Sequence, residues 1–448
     1  MDTQGRPFGV WTATAMVVGG MIGAGIFVLP GALAPLGWTS AAGWIVAAIG
    51  VLAIGRVIAE LIVRRPDEPS ILTHCGDALG LLAGRMIAWT YWVAIVCTLP
   101  VLAMAAMAYL LHLVPNVAHG PWERALGGTV ILALLGIVNL RGVRAAGNVQ
   151  IVTTALKLLP LILVIAIVCW LAVSAPQTYS QSQSVPFSAA QLSPALGITF
   201  FAVLSFENAS LVADRVRDPA RNVVRATLFG LALVLAIYFT VSTGIIASTT
   251  ASELAGNSAP VAYFVQRHLG NWAGDAVAVF AAISAIGCLN CLIMLLGELP
   301  LGMVRDGQLP AWMAPTSSRD VAAPPLALGC ALGATLMLWS VTGMGERVLD
   351  FSLRLTTASA IWFYIGVCLT AWVLRVLRPL AVVGIMFSLW VLYGTGLQAG
   401  LLGFALLLVA VRRQNIWRNL QRKLAECGPR LGVDVRRLAC GVASADVR

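Results

Sequence analysis

Three features of this chain could do chemistry that their surroundings make costly. Lys157 sits in VQIVTTALKLLPLILVIAIV, an apolar run with no acid near it, and lysine occurs elsewhere only at Lys423. Glu207 and Asn208 interrupt a second apolar run just after Ser205. Gly23 and Gly25 form a Gly-x-Gly inside MVVGGMIGAGIFVLPGALAPL, residues 16–36. An ionisable group at membrane depth costs several kcal/mol unless it is paired, protonated or wetted, so it marks a functional site by default. The glycines raise a different question. Glycine costs about 1 kcal/mol against alanine in a helix interior, so the pattern suggests a helix broken on purpose. Its freed backbone groups are tolerated at that depth only where protein buries them or a watery cavity receives them. Small residues four apart also let helices approach closely, and this stretch alone leaves both readings open. The second interruption, at Glu207, favours a cavity between two broken helices.

Other groups carry less. Cys288 and Cys291 form a C-x-x-C inside an apolar run without a neighbouring His, so metal or redox use is not expected, and the nine cysteines make no secreted disulfide pattern. His74 has the side chain that titrates near neutrality, but a lone loop histidine is ordinarily solvated. Arg56 with Glu60, and Arg354 with Asp350, read as structural pairs at i, i+4. There is no phosphate-binding glycine loop and no nucleophile–base pair or metal spacing within the apolar runs, so neither ATP, a cofactor nor enzymatic chemistry is expected.

The elements that must position these residues are membrane helices. Of 448 residues, 59% are hydrophobic and 11% charged, with a mean hydropathy of +0.88, which no soluble globular domain matches. Continuous apolar runs exclude a β-barrel, whose strands would alternate. Runs of spanning length fall near 8–36, 41–63, 86–114, 125–140, 149–173, 193–213, 226–248, 274–304, 324–343, 349–374, 379–396 and 398–411. That is twelve spans, with a re-entrant hairpin as the alternative for the last two. The first run lacks a credible cleavage site and is expected to stay in the mature chain. The net charge of +10 reflects topology, not nucleic-acid binding. With the amino terminus inside, cytoplasmic segments hold 23 of the 29 Lys and Arg residues and the opposite loops three, which puts both termini in the cytoplasm. The expected organisation is a membrane domain over 1–411 and a basic tail over 412–448 attracted to anionic lipid.

The segments GMIGAGIFVLP (20–30), FEN…DPARN (within 200–230) and RDGQLP (305–310), together with twelve spans, resemble the amino acid–polyamine–organocation (APC) superfamily. The closest branch is that of bacterial basic amino acid/polyamine antiporters and amino acid permeases. The resemblance implies an all-α LeuT-type fold. In it, inverted repeats (about 8–173 and 193–374) carry broken helices 1 and 6, and two further helices follow (about 379–411). It implies an inner-membrane secondary transporter working by alternating access, with an amino acid as partner and protons or a second copy of the chain as open additions.

Carried onto this chain, the resemblance implies that amides of Gly23, Ala24 and Gly25 hold the substrate carboxylate. Carbonyls near Phe201 and Leu204 would hold its ammonium, and Phe201 would act as an aromatic lid. Glu207 matches a span-six glutamate that joins a proton path or holds span six in place. Lys157 matches a lysine that replaces the sodium of coupled relatives between spans 1, 5 and 8. It would brace span one near Gly20 and Met21, with Ser284 a weaker partner, either as a proton carrier or as a permanent brace. The exchangers' polar amide on span three and aromatic on span eight become Leu99 and Leu292 here, with Cys97 beside them. A cationic side chain would lose its cation–π partner, so a neutral, aliphatic or small amino acid is expected. The alternatives are an arginine/polyamine-type antiporter and a transporter-like sensor that does not transport. The loop 66–76, PDEPSILTHCG, departs from the family's glycine- and tyrosine-rich pattern.

Overall fold

The computed structural model describes residues 6–65, 70–114, 120–181, 185–254, 257, 259–305, 309, 313, 321–342, 345–395, 401 and 405. Span 1 comes as two helices, Val10–Met21 and Gly25–Leu33, the latter extended to Leu36 by a 3-10 turn; its two parts meet at 42°. Span 2 is Trp38–Arg64, span 3 Leu81–His112, span 4 Pro121–Leu140 and span 5 Val143–Ser174. Span 6 is again broken, into Leu192–Ala202 and Asn208–Leu211. Span 7 is Pro219–Ser248, span 8 Asn271–Arg305, span 9 Ala323–Ser340, span 10 Gly345–Val373 and span 11 Arg378–Thr395. Among the described residues, eight helices are long and apolar enough to cross a membrane, and the bent pair of span 1 makes a ninth. The twelfth expected span and the basic tail fall outside the described residues, Leu401 and Ala405 excepted.

The breaks have local causes. In span 1 the backbone leaves helical geometry at Ile22 (φ −80°, ψ 88°) and resumes with Gly25, as the glycine pattern requires. In span 6 five residues separate the helical parts, and Ser205 adopts φ 81°, a region costly for a residue with a Cβ. Spans 4 and 5 are joined by only Arg141 and Gly142, and Gly142 takes φ 123°, which glycine alone adopts readily. Large apolar side chains such as Trp170, Phe229 and Met386 face outward, where acyl chains take the place of a protein partner.

Span 3 packs against spans 8 and 10, span 7 against span 2 and the first half of span 1, and span 5 against spans 1 and 8. This arrangement sets the two breaks side by side in the middle of the bundle. Two expectations are corrected. Residues 71–79 form a helix, Ile71–Leu79, where a loop was expected, and His74 is fully buried in it instead of solvated. Its apolar neighbours Ile71, Leu72 and Cys75 share the buried face, so the altered sequence docks on the bundle as an amphipathic turn of helix. Residues 66–69 of that stretch, and the Asp350 side chain proposed to pair with Arg354, lie outside the described residues. The Arg56–Glu60 pair forms at 3.0 Å.

Close backbone approach between spans 2 and 6 depends on Gly43, where a Cβ would lie 3.1 Å from Ala195 Cβ and 3.3 Å from its carbonyl carbon. Gly43→Leu is expected to destabilise the detergent-solubilised protein by about 1–3 kcal/mol through overpacking, read as a lowered thermal midpoint. Gly302→Leu, at a position with no atom within 4 Å of the added Cβ, is expected to change it little.

Candidate functional site

A helix that stops in mid-membrane exposes its last carbonyls, and here each of them finds a side-chain donor from another span. Lys157 Nζ, fully buried, donates to Gly19 O (2.8 Å), Ile22 O (2.7 Å) and Ser284 O (3.3 Å). Cys288 Sγ lies 3.0 Å from Gly20 O, and Tyr238 Oη donates to Met21 O at 2.9 Å. Ser284 Oγ shares its proton between Ile22 O (3.1 Å) and Gly23 O (3.0 Å). Lys157 therefore joins spans 5, 1 and 8, one residue to either side of the expected Gly20 and Met21. Gly287 makes room for it: a Cβ there would be 3.1 Å from the ammonium nitrogen. Two turns earlier on span 5, Gln150 Nε2 donates to Ala15 O (3.1 Å) and belongs to a buried amide chain through Asn290 to Asn139. Cys288 and Cys291 are free thiols, and no metal-holding cluster exists among the described residues.

Span 6 is held by its acid. Glu207 accepts from Tyr91 Oη on span 3 through one carboxylate oxygen and from Tyr364 Oη on span 10 through the other, the latter at 2.6 Å. Tyr364 is itself fixed by stacking on Phe206, with ring centroids 4.9 Å apart and an interplanar angle of 9°. Each carboxylate oxygen thus has a tyrosine hydroxyl of its own.

Between the breaks lies a cavity of about 110 Å³. Of the expected site residues, Gly23, Gly25, Phe201, Leu204, Leu292 and Glu207 line it. Ala24 does not; it faces a larger vestibule of about 730 Å³ on the side of the bundle that carries Arg124. Gly23 contributes a carbonyl more than a donor, because its N–H is spent on Met21 O at 3.0 Å. The first hydrogen bond of the second half of span 1 runs from Phe27 N–H to Ala24 O, so the amides of Ala24, Gly25 and Ile26 precede it and are free in the manner of any helix start. Together with the helix dipole they favour an anionic group.

Leu99 is a correction: it turns away from the cavity towards span 9, where a Cβ on Gly333 would lie 2.9 Å from its Cδ1. The face of span 3 that reaches the cavity is Tyr91, Ala94, Ile95, Thr98 and Leu102, a helical stripe, and Leu99 is about 100° around from Thr98. Cys97 is also off this face. Sequence reasoning missed Tyr91, Thr98, Tyr238, Thr356 and Tyr364. A mid-span tyrosine is a signal in itself, since its hydroxyl needs a partner when buried.

Gly25, Thr98, Leu102, Phe201 and Thr356 line both the cavity and the vestibule, forming the throat between them. At the opposite end, contacts among the described residues tie the start of span 1, the segment after span 6 and span 8 together. Phe8 and Val216 pair in a parallel bridge, and Arg215 grips Glu298 with two bonds of 2.9 and 3.1 Å at a buried position.

The amino acid permease family profile matches residues 8–421. The chain belongs to the amino acid permease family, within the APC superfamily. Among its relatives is the cadaverine/lysine antiporter of Escherichia coli (strain K12), 25% identical over 341 residues, 75% of each chain. Another is a putative arginine/ornithine antiporter of Bacillus subtilis (strain 168), 27% identical over 400 residues, 82% of this chain and 84% of that one. A Na+-coupled sialic acid symporter, solved in a substrate-bound outward-open state, superposes with a TM-score of 0.56 at 12% identity, covering 89% of this chain and 91% of its own. The permease thus has the LeuT-type fold, with broken spans 1 and 6 at its centre, and is a multi-pass transporter, not an enzyme.

Two predictions follow from the permease's anchoring contacts. Tyr91→Phe and Tyr364→Phe each remove one donor from a buried carboxylate, a loss of about 1.5–3 kcal/mol for a charged group. A double-mutant cycle on thermal stability is expected to show coupling between them, since both act on Glu207. Outside the spans, the Thr250 hydroxyl first, then its backbone N–H and the Arg267 guanidinium, hold the Glu253 carboxyl below its ordinary value of 4.5. A depressed carboxylate stabilises the fold above its unfolded pKa and ceases to as pH falls through the folded one. The thermal midpoint of Glu253→Gln is therefore expected to lie slightly below wild type at neutral pH, with the gap closing below about pH 4.5.

Proposed function

We propose that this permease carries a small neutral L-amino acid across the bacterial inner membrane by alternating access, with both termini cytoplasmic. One observation carries the reading: the free amides at the start of the second half of span 1 lie where a small, mostly apolar cavity, lined by Gly25 and Ile26, meets a vestibule lined by Ala24 and Gly25. The amides of Ala24 and Gly25 would receive the carboxylate. Carbonyls of the span-6 break near Phe201 and Leu204 would receive the ammonium, and Phe201, standing in the throat, would cover the occupied site. The Lys and Arg distribution makes the Arg124 end external and the Arg215–Glu298 end cytoplasmic, so the conformation is outward-facing.

Size and wall support the substrate class. About 110 Å³ is less than the roughly 150 Å³ known to take a benzene molecule, which suits a short side chain. Leu102, Ile95, Ala94 and Leu292 supply an apolar wall, and Leu292 stands where an aromatic partner for a cation would be needed. The proposed coupling group is Lys157. By the resemblance its ammonium stands for the cation of sodium-coupled relatives, and its proton loss would leave two N–H donors for three carbonyls, loosening its hold on Gly19 O and Ile22 O while Cys288, Tyr238 and Ser284 still bond the break. Because the relatives are antiporters of cationic substrates, exchange of arginine- or polyamine-type substrates is the second reading.

Uptake into proteoliposomes separates these. With empty vesicles, an inward proton gradient is expected to drive accumulation of alanine-sized neutral amino acids, and Lys157→Gln is expected to abolish the pH dependence. Uptake of lysine, arginine or cadaverine only against internal substrate would establish the second reading, and binding without flux would make the protein a sensor. Gly25→Leu has open space for its side chain, so it is expected to fold and yet lose binding at least 10-fold by filling the throat.

A further inference from the structure

The throat carries a feature that the apolar wall does not explain. Thr98 on span 3 and Thr356 on span 10 meet there, with their hydroxyl oxygens 3.0 Å apart. Both line the cavity and the vestibule; Thr98 is half-buried, and Thr356 is 8% exposed. Each hydroxyl has one proton and two lone pairs. The Thr98 proton has Ala94 O at 2.7 Å and Thr356 Oγ1 at 3.0 Å within reach. The Thr356 proton has Ser352 O at 2.9 Å and Ala94 O at 3.2 Å within reach, besides Thr98 Oγ1. Whichever acceptor it takes, both protons are committed inside the protein. The mutual bond uses at most one lone pair, so what the pair offers the throat is acceptor capacity only.

We infer that the paired hydroxyls of Thr98 and Thr356 select, among small neutral amino acids, those whose side chain ends in a hydrogen-bond donor, with serine and threonine the chemical class. This rests on the neutral-substrate reading and sharpens it. The amide end that would hold the carboxylate, at Gly25, belongs to the same ring of throat residues. A side-chain carboxylate would meet only acceptor oxygens there. A side-chain ammonium would be accepted by the pair but would carry its desolvation cost into a mostly apolar cavity whose acid, Glu207, already holds two tyrosine hydroxyls. A neutral hydroxyl has neither difficulty. An aliphatic side chain of the same shape leaves the lone pairs dry, and a site built to hydrogen-bond a group discriminates against the analogue that lacks it.

The test is competition for binding to the purified full-length protein by two isosteric pairs, L-threonine against L-valine and L-serine against L-alanine. Wild type is expected to favour the hydroxylated member of each pair by about 3- to 10-fold, the range of one net hydrogen bond. In the Thr98→Val/Thr356→Val double variant the preference is expected to vanish, with an unchanged thermal midpoint reporting that the protein is folded. Thr98→Ser is expected to retain the preference. Equal affinities within each wild-type pair, or a preference that survives the double variant, would overturn the inference. Binding of lysine with none of these four would instead remove the neutral-substrate reading beneath it, and the inference with it.

Discussion

The rest of the structure depends on one constraint: a helix broken in mid-membrane must have its carbonyls satisfied by something other than water. An unpaired backbone group in hydrocarbon costs several kcal/mol, and the break in span 1 exposes a run of them, from Gly19 to Gly23. The bundle answers with Lys157, Cys288, Tyr238 and Ser284, drawn from spans 5, 8 and 7. This single requirement explains why a lysine is tolerated at that depth, why span 8 is a glycine at 287, and why three spans converge on a stretch of five residues. The donors are spent on the carbonyls of the break, and the amides that start the second half of span 1 stay outside its helical bonds, Gly25 at the cavity and Ala24 at the vestibule.

The two breaks are stabilised by opposite chemistry. Span 1 is held through its carbonyls by donors, one of them cationic. Span 6 is held through an acid, Glu207, by two tyrosines from spans 3 and 10. A cation buried among carbonyls can exchange its proton or its position without leaving a bare charge behind, because the carbonyls are dipoles with other donors nearby. A carboxylate gripped on both oxygens has less freedom. Span 1 is on these grounds the element through which ion or proton chemistry can act, and span 6 the element that keeps the wall of the cavity in register with spans 3 and 10.

The ends of the bundle differ in the same physical terms. One is an open vestibule with an apolar lining and Arg124 at its wall. The other is tied together by the buried Arg215–Glu298 pair and by the backbone bridge from Phe8 to Val216. A buried ion pair is a poor source of stability, yet it is expensive to separate into dry surroundings. It separates readily only as water enters, which suits it to serve as a latch in the proposed transport cycle. Membership of the amino acid permease family and the LeuT-type fold fit a molecule built to exchange these ends.

Some of this is legible in the sequence because the membrane makes it so. Lys157, Glu207 and the Gly23–Gly25 pattern stand out against apolar runs, where an ionisable group or a helix breaker has an identifiable cost, and the structure finds each at a break or bound to one. The resemblance to the APC superfamily rests on the stretches around Gly23–Gly25 and Glu207, with RDGQLP at 305–310 and the number of spans. The tyrosines that hold Glu207, and the hydroxyl pair at the throat, are not legible in this way. Tyrosine and threonine are ordinary in membrane helices, and Thr356 meets Thr98 across 258 residues of chain. Nor could the sequence tell that Leu99 turns towards span 9, or that His74 is buried, since each depends on how a helix is rotated against its neighbours. Composition and costly residues by themselves determined the membrane class, the two broken helices and the lysine beside them. Which side chains face the cavity, which end is tied together, and which hydroxyls spend their protons were decided only by tertiary packing, because helix rotation and long-range hydrogen bonds are set by contacts that no local stretch contains.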